Sequence, residues 1–128
     1  MSSRFTDLAI DCADPHGLAT FWCAVLDYAL LDEEDGLVTI GPPMEPEGTT
    51  SPGPRPPTLT FATVPEGKAG KNRLHLDVNP TDREQQEEVG RLLDLGARLA
   101  DVGQGQVSWI VLADPEGNEF CVLATRLP

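Results

Sequence analysis

Along the first quarter of the chain, Leu18, Phe21, Trp22, Val25 and Leu26 recur at i, i+3, i+4, i+7 and i+8, which predicts a helix with one apolar stripe. Asp14 stands where an N-cap acceptor belongs, and Pro15 suits the first turn, where a missing N–H costs nothing. A second helix opens with Thr81-x-x-Glu84, the capping-box spacing, places Val89, Leu92 and Leu93 on its apolar side and closes near Gly96. Its Glu84, Glu87, Glu88 and Arg91 read as a solvated face. Period-two alternation predicts strands over residues 5–12, 28–31, 37–40, 58–64, 73–78, 98–101, 107–112 and 119–124.

The order of these elements repeats. Leu8-Ala9-Ile10-Asp11-Cys12 laid on His75-Leu76-Asp77-Val78-Asn79 brings Leu26-Asp27-Tyr28 onto Leu93-Asp94-Leu95, and each half reads strand, helix, three strands. An α+β fold of tandem βαβββ modules follows, within one domain spanning 1–128: module one 1–65, a polar linker 66–71, and module two 72–128. Between the third and fourth strands, residues 41–57 hold seven prolines and three glycines, a composition that makes a lid or a disordered loop.

Alternation also sorts the faces. Leu8, Ile10 and Cys12 point to the helix side of the first strand, leaving Asp7, Ala9 and Asp11 opposite. In the strand after the linker, Leu74, Leu76 and Val78 take the helix side and Arg73, His75 and Asp77 the other. Polar groups thus gather on a helix-free face, which a curled sheet would turn into a ligand cleft.

Charge narrows the partners. A formal net charge of −12, with only nine Lys and Arg, argues against nucleic acid and favours neutral or cationic small molecules. No apolar run is long enough for a membrane helix and the first residues lack a signal-peptide core, so a cytoplasmic protein with no membrane partner is expected. Cys12, Cys23 and Cys121 are odd in number and widely spaced, so neither a disulfide framework nor a zinc knuckle is indicated.

The tandem βαβββ order, Asp14-Pro15 with Phe21-Trp22 and Leu26-Asp27-Tyr28, the strand Arg73-Leu74-His75-Leu76-Asp77-Val78 and the closing Asp114-Pro115-Glu116-Gly117-Asn118-Glu119-Phe120 together resemble the vicinal oxygen chelate superfamily, in its glyoxalase-like and bleomycin-resistance branch. The resemblance implies modules that form a U-shaped, partly closed mixed sheet with flanking helices, often in a homodimer. Catalytic members usually hold a divalent metal through His and Glu on the first and last strands of each module. Carried over, those slots fall on Asp7, on or beside Thr60, on Arg73 or His75, and on Cys121. Thr60 is a weak ligand, Arg73 cannot be one, and Cys121 replaces a carboxylate that would also serve as base.

The expectation is therefore a binding protein with no cofactor and no complete metal site, its ligand touching Asp7, Asp11, Thr60, Arg73, Asp77, Trp109 and Cys121. Two enzymatic alternatives stay open. One is a metal-dependent lyase, isomerase or dioxygenase, with Asp7, His75 and Cys121 around zinc. The other is a cofactorless enzyme with His75 as catalytic base beside Asp7 or Asp77. Arg73 would pair with a ligand carboxylate or with Asp7 or Asp11, and Trp109 is either core or an aromatic wall. Cys121 is a buried inert thiol unless a neighbour such as His75 activates it.

Overall fold

The computed structural model describes residues 2–45, 48 and 55–128 and divides the chain into two compact units, 1–67 and 68–128. Each is a βαβββ module with a mixed four-stranded sheet, the α+β arrangement that the repeat predicts. Eight of the seventeen residues of the Pro-rich stretch, where lid and disorder were the alternatives, lie outside the described residues. Its described end is tied down, because Arg55 Nη2 donates to the Pro42 and Pro43 carbonyls at 2.9 and 3.1 Å.

In the first unit β1 (Asp7–Cys12), α1 (Pro15–Leu26), β2 (Ala29–Glu34), β3 (Leu37–Gly41) and β4 (Thr58–Thr63) form a sheet in the order β1-β4-β3-β2. β1 pairs parallel with β4, and the other neighbours are antiparallel. Asp14 caps α1 through an Oδ1 acceptor 3.1 Å from the Gly17 N–H. The helix lays Leu18, Phe21 and Trp22 against β3 and β4, which bury Val38, Ile40, Leu59 and Phe61. Trp22 is 2% exposed and meets Phe21 edge to face, centroids 5.3 Å apart, so the two aromatics are core and not a ligand cage.

The second unit contains β5 (Asp77–Val78), α2 (Gln85–Leu95), β6 (Arg98–Leu99), β7 (Ile110–Ala113) and β8 (Glu119–Val122), ordered β5-β8-β7-β6 with β5 parallel to β8. Its core is Val89, Leu92, Ala97, Val111, Leu112, Phe120, Cys121 and Val122. β7 turns into β8 through the Asp114 to Asn118 motif, where Gly117 takes φ +90°, a conformation that L side chains rarely adopt.

Three expectations are corrected here. The strand predicted over 73–78 pairs only at Asp77 and Val78, and Leu74 is 84% exposed instead of facing the core. β8 is four residues long, and upstream the chain is drawn elsewhere, the Asn72 N–H bonding a Glu119 carboxylate oxygen at 3.0 Å. Thr81 does not cap α2, which begins at Gln85 with Glu84 extended and no side-chain cap. Arg126 bonds the Glu84 carboxylate, the group the expected box would use, at 3.1 Å, and also the Thr81 backbone carbonyl at 3.3 Å. Glu88, read as solvated, is 7% exposed and meets Arg91 through two bonds of 2.7 and 2.8 Å, the fork geometry that makes a buried carboxylate tolerable.

Candidate functional site

β5 and β8 set Asp77 directly opposite Cys121, and the Cys121 N–H donates to the Leu76 carbonyl at 2.9 Å. His75, two residues before Asp77, reaches the same place. Its Nδ1 lies 3.0 Å from Asp77 Oδ1 and 3.8 Å from Cys121 Sγ, and one ligand atom from each of the three residues falls within 4.8 Å of the others. His75 and Asp77 are exposed while Cys121 is buried. The partner of His75 is therefore Asp77, settling within this unit one of the two carboxylates left open by the sequence.

Beside these residues is a pocket of about 190 Å³. Trp109, Val102 and Val111 supply its apolar wall, and His75, Cys121, Gln104, Asn72, Lys71 and Glu119 its polar rim. Trp109, just ahead of β7, is 39% exposed and borders this pocket, so it is not a core residue. Gln104 fixes the loop after β6 by accepting the Val102 N–H at 2.9 Å. Glu119 accepts from Asn72 N and from Lys68 Nζ, at 3.0 and 3.1 Å. Burial raises the pKa of this carboxyl, but the bonds from Asn72 and Lys68 outweigh it and hold it below the ordinary carboxylate range. Sequence reading overlooked Gln104 and passed over Glu119 as part of a turn motif. A polar residue in the glycine-flanked Gly103-Gln104-Gly105 stretch was the available signal.

Nucleophilic chemistry at Cys121 is poorly served. Burial, followed by the negative charge of Asp77, pushes its thiol pKa up. His75 also offers the same nitrogen, Nδ1, to both neighbours, so a proton on Nδ1 bonded to Asp77 leaves that nitrogen unable to take the thiol proton.

Of the remaining predicted residues, Asp7, Asp11 and Thr60 belong to the first unit and Arg73 to the second. In the first unit Asp7 Oδ1 accepts from Thr58 Oγ1 at 2.5 Å and from Thr60 Oγ1 at 2.9 Å, and Thr60 meets Thr39 at 3.2 Å. Asp7 and Asp11 alternate with half-buried Leu8 and Ile10, matching the predicted face assignment. A depression of about 470 Å³ in the same unit is lined by Asp14, His16, Glu33, Glu34 and Asp35, with His16 Nδ1 2.7 Å from Glu33 Oε1. Though larger than the second unit's pocket, it is lined mostly by acidic and polar side chains, and its histidine is mostly exposed. In the second unit Arg73 is exposed in the segment ahead of β5.

As metal donors, the four slots implied by the resemblance fit badly. Asp7 is engaged by two threonine hydroxyls, Thr60 spends its proton on Asp7, and Arg73 has no lone pair to give. Among the described residues the converging donors are His75, Asp77 and Cys121. No helix among the described residues is long and apolar enough to cross a membrane.

Comparison with known proteins agrees with the fold. The crystal structure of a fosfomycin resistance protein, FosX, from Listeria monocytogenes, complexed with Mn(II) and sulfate ion, superposes with a TM-score of 0.71 at 13% identity, covering 99% of this chain and 94% of that one. A glyoxalase/bleomycin resistance protein/dioxygenase family enzyme from Burkholderia phytofirmans PsJN gives 0.65 at 16% identity, covering 91% and 94%. A possible glyoxalase from Bacillus cereus gives 0.63 at 15%, covering 96% and 100%. No curated protein matches. The family model described as glyoxalase-like domain matches residues 7–123, nearly the whole chain. With two βαβββ modules, this sequence match and these structural neighbours, the chain belongs to the glyoxalase-like domain family of the vicinal oxygen chelate superfamily.

Proposed function

We propose that this chain is a small-molecule-binding protein of the cytoplasm that holds its ligand in the pocket of the second unit, without the superfamily's four-donor metal set. The observation that carries the reading is the pairing of an exposed Trp109 with a polar rim of His75 and Gln104 around a concave, partly apolar space. The pocket's volume is about six times the ~30 Å³ share of one liquid water, enough for a small ring or the end of a larger ligand. Trp109 favours a flat apolar group, and the net charge of −12 favours a neutral or cationic one.

A cofactorless acid–base role is a second reading, favoured by the 3.0 Å His75 to Asp77 bond, since a carboxylate that orients an imidazole is the usual partner of a general base. The two readings part at His75→Ala, which leaves binding measurable under the first and abolishes turnover under the second.

Screening small aromatic amines and neutral heterocycles by intrinsic fluorescence tests the binding reading. Trp22 is buried, so ligand-dependent changes should come from Trp109. Trp109→Phe should remove most of the fluorescence response, while Trp109→Ala should weaken binding about tenfold, the equivalent of ~1.4 kcal/mol. Unchanged affinity in Trp109→Ala would remove the pocket from the account.

A further inference from the structure

Granted that the second unit's pocket is where a small molecule binds, we propose that it selects a flat, uncharged ring bearing a carbonyl oxygen, a cyclic amide in the simplest case, over aromatic amines. Most acceptors of the rim are already used. Glu119 gives one carboxylate oxygen to Lys68 Nζ at 3.1 Å and the other to the Asn72 N–H at 3.0 Å. Gln104 gives its Oε1 to the Val102 N–H at 2.9 Å, and because only the amide oxygen can accept, this bond fixes which end of the amide is which.

The donors of the rim are left over. With Oε1 tied down, the Gln104 Nε2 amide group has no partner among the described residues, and neither has the Trp109 indole N–H. Lys71 Nζ makes one long bond, 3.3 Å to the Asn72 carbonyl, and among the described residues it forms no ion pair, whereas Lys68 neutralises Glu119. All three donor residues line the pocket. A ligand that displaces water here without bringing acceptors strands these N–H groups, which costs more than a hydrogen bond's net gain. A carbonyl oxygen, with two lone pairs, can satisfy two of them.

Charge separates the uncharged acceptor from its charged relatives. A protonated amine faces Lys71 and brings further donors to donors. A carboxylate would suit Lys71, but it meets the ionised Glu119 on the same rim and a chain of net charge −12. A carbonyl supplies the acceptor without either penalty. His75 adds a free acceptor to this rim: the Asp77 carboxylate takes the Nδ1 proton at 3.0 Å and leaves Nε2 with a lone pair. The N–H beside the carbonyl of a cyclic amide is a donor that such a nitrogen accepts, and the flat ring suits the Trp109 face.

Three single-ring probes of similar size sort the cases: 2-pyridone, a neutral cyclic amide; 4-aminopyridine, a cation at neutral pH; and nicotinate, an anion. Each is titrated into the metal-free protein, with affinities read by NMR from the Trp109 indole N–H and the Gln104 side-chain amide. 2-Pyridone should bind about tenfold more tightly than either charged probe, the worth of a well-placed hydrogen bond. Gln104→Glu keeps the oxygen that anchors Val102 and exchanges the donor for an acceptor, so it should erase this preference and turn it toward 4-aminopyridine. Lys71→Met alters an exposed side chain, so its fold should survive, and it should strengthen 4-aminopyridine binding by roughly threefold. A wild-type ranking led by either charged probe, a preference for 2-pyridone unchanged in Gln104→Glu, or 4-aminopyridine binding unchanged in Lys71→Met would overturn the selectivity and leave the pocket standing as a binding site. No shift at the pocket with any of the three probes would remove pocket and selectivity together.

Discussion

Trp22→Ala is expected to lower stability by about 4 kcal/mol, because a fully buried indole leaves both its transfer free energy and a large cavity behind. Trp22 is 2% exposed, and together with its helix neighbour Phe21, which it meets edge to face, it lies on the side of α1 that packs on β3 and β4, where Val38, Ile40, Leu59 and Phe61 are buried. Against a total stability of roughly 5–15 kcal/mol for a domain, this loss is near the limit of what the fold can absorb. The melting temperature should fall by roughly 12–16 °C at about 3–4 °C per kcal/mol for a chain of this size. Trp22→Phe, which keeps a ring in place, should cost less than half as much. Urea denaturation of the three proteins measures this directly. A loss below ~1 kcal/mol in the alanine variant would mean that Trp22 does not anchor the first unit.

Asp114→Ala should be the second most damaging change, at about 3 kcal/mol. The side chain is completely buried, and its Oδ1 accepts the N–H groups of Glu116 and Asn118, both at 3.0 Å. Asn118 Nδ2 adds bonds to both carboxylate oxygens, at 3.2 and 3.0 Å. Removing the carboxylate leaves these donors to find other acceptors in a tight turn, and bonds to an ionised acceptor are worth about 1.5–3 kcal/mol each before compensation. The turn also sets the β7 to β8 register, which places Phe120 in the core and Cys121 beside Asp77. Asp114→Asn retains one acceptor oxygen and should cost about half as much. Thermal unfolding of both variants tests this; equal stability of Asp114→Ala and wild type would show that the turn tolerates loss of its central acceptor.

The legible parts of this fold were those decided by neighbours in sequence. The α1 stripe, its Asp14 cap and the repeated element order all rest on spacings of a few residues, and the structure follows them. The errors came from distant competitors. Arg126, more than forty residues away, holds the Glu84 carboxylate that the capping pattern would have turned back onto Thr81. Glu119 takes the Asn72 N–H through its side chain, and the strand predicted from residue 73 pairs with β8 only at Asp77 and Val78. Glu88 has the composition of a solvated helix face, and its burial depends on how deeply α2 sits, which periodicity does not encode.

The candidate site was half legible for the same reason. His75 and Asp77 are two apart on one chain segment, so alternation could place them together. Their meeting with Cys121 depends on parallel register between β5 and β8, which joins residues more than forty positions apart. Asp7 was recognised as a polar group of the helix-free face and Thr60 only through the resemblance, and the β1 to β4 register explains why they bond to each other. Gln104 enters through a loop whose path no local pattern specifies.

The central claim is that the second unit's pocket is where this protein takes a small molecule. The most direct measurement is a backbone-resolved NMR titration of the metal-free protein with a mixture of small aromatic amines and neutral heterocycles. The account predicts shifts concentrated at residues 71–75, 102–104, 109–111 and 119–121, together with the Trp109 indole N–H. Shifts confined to the β2 to β3 turn and the start of α1, around His16 and Glu33, with the Trp109 indole unmoved, would contradict it.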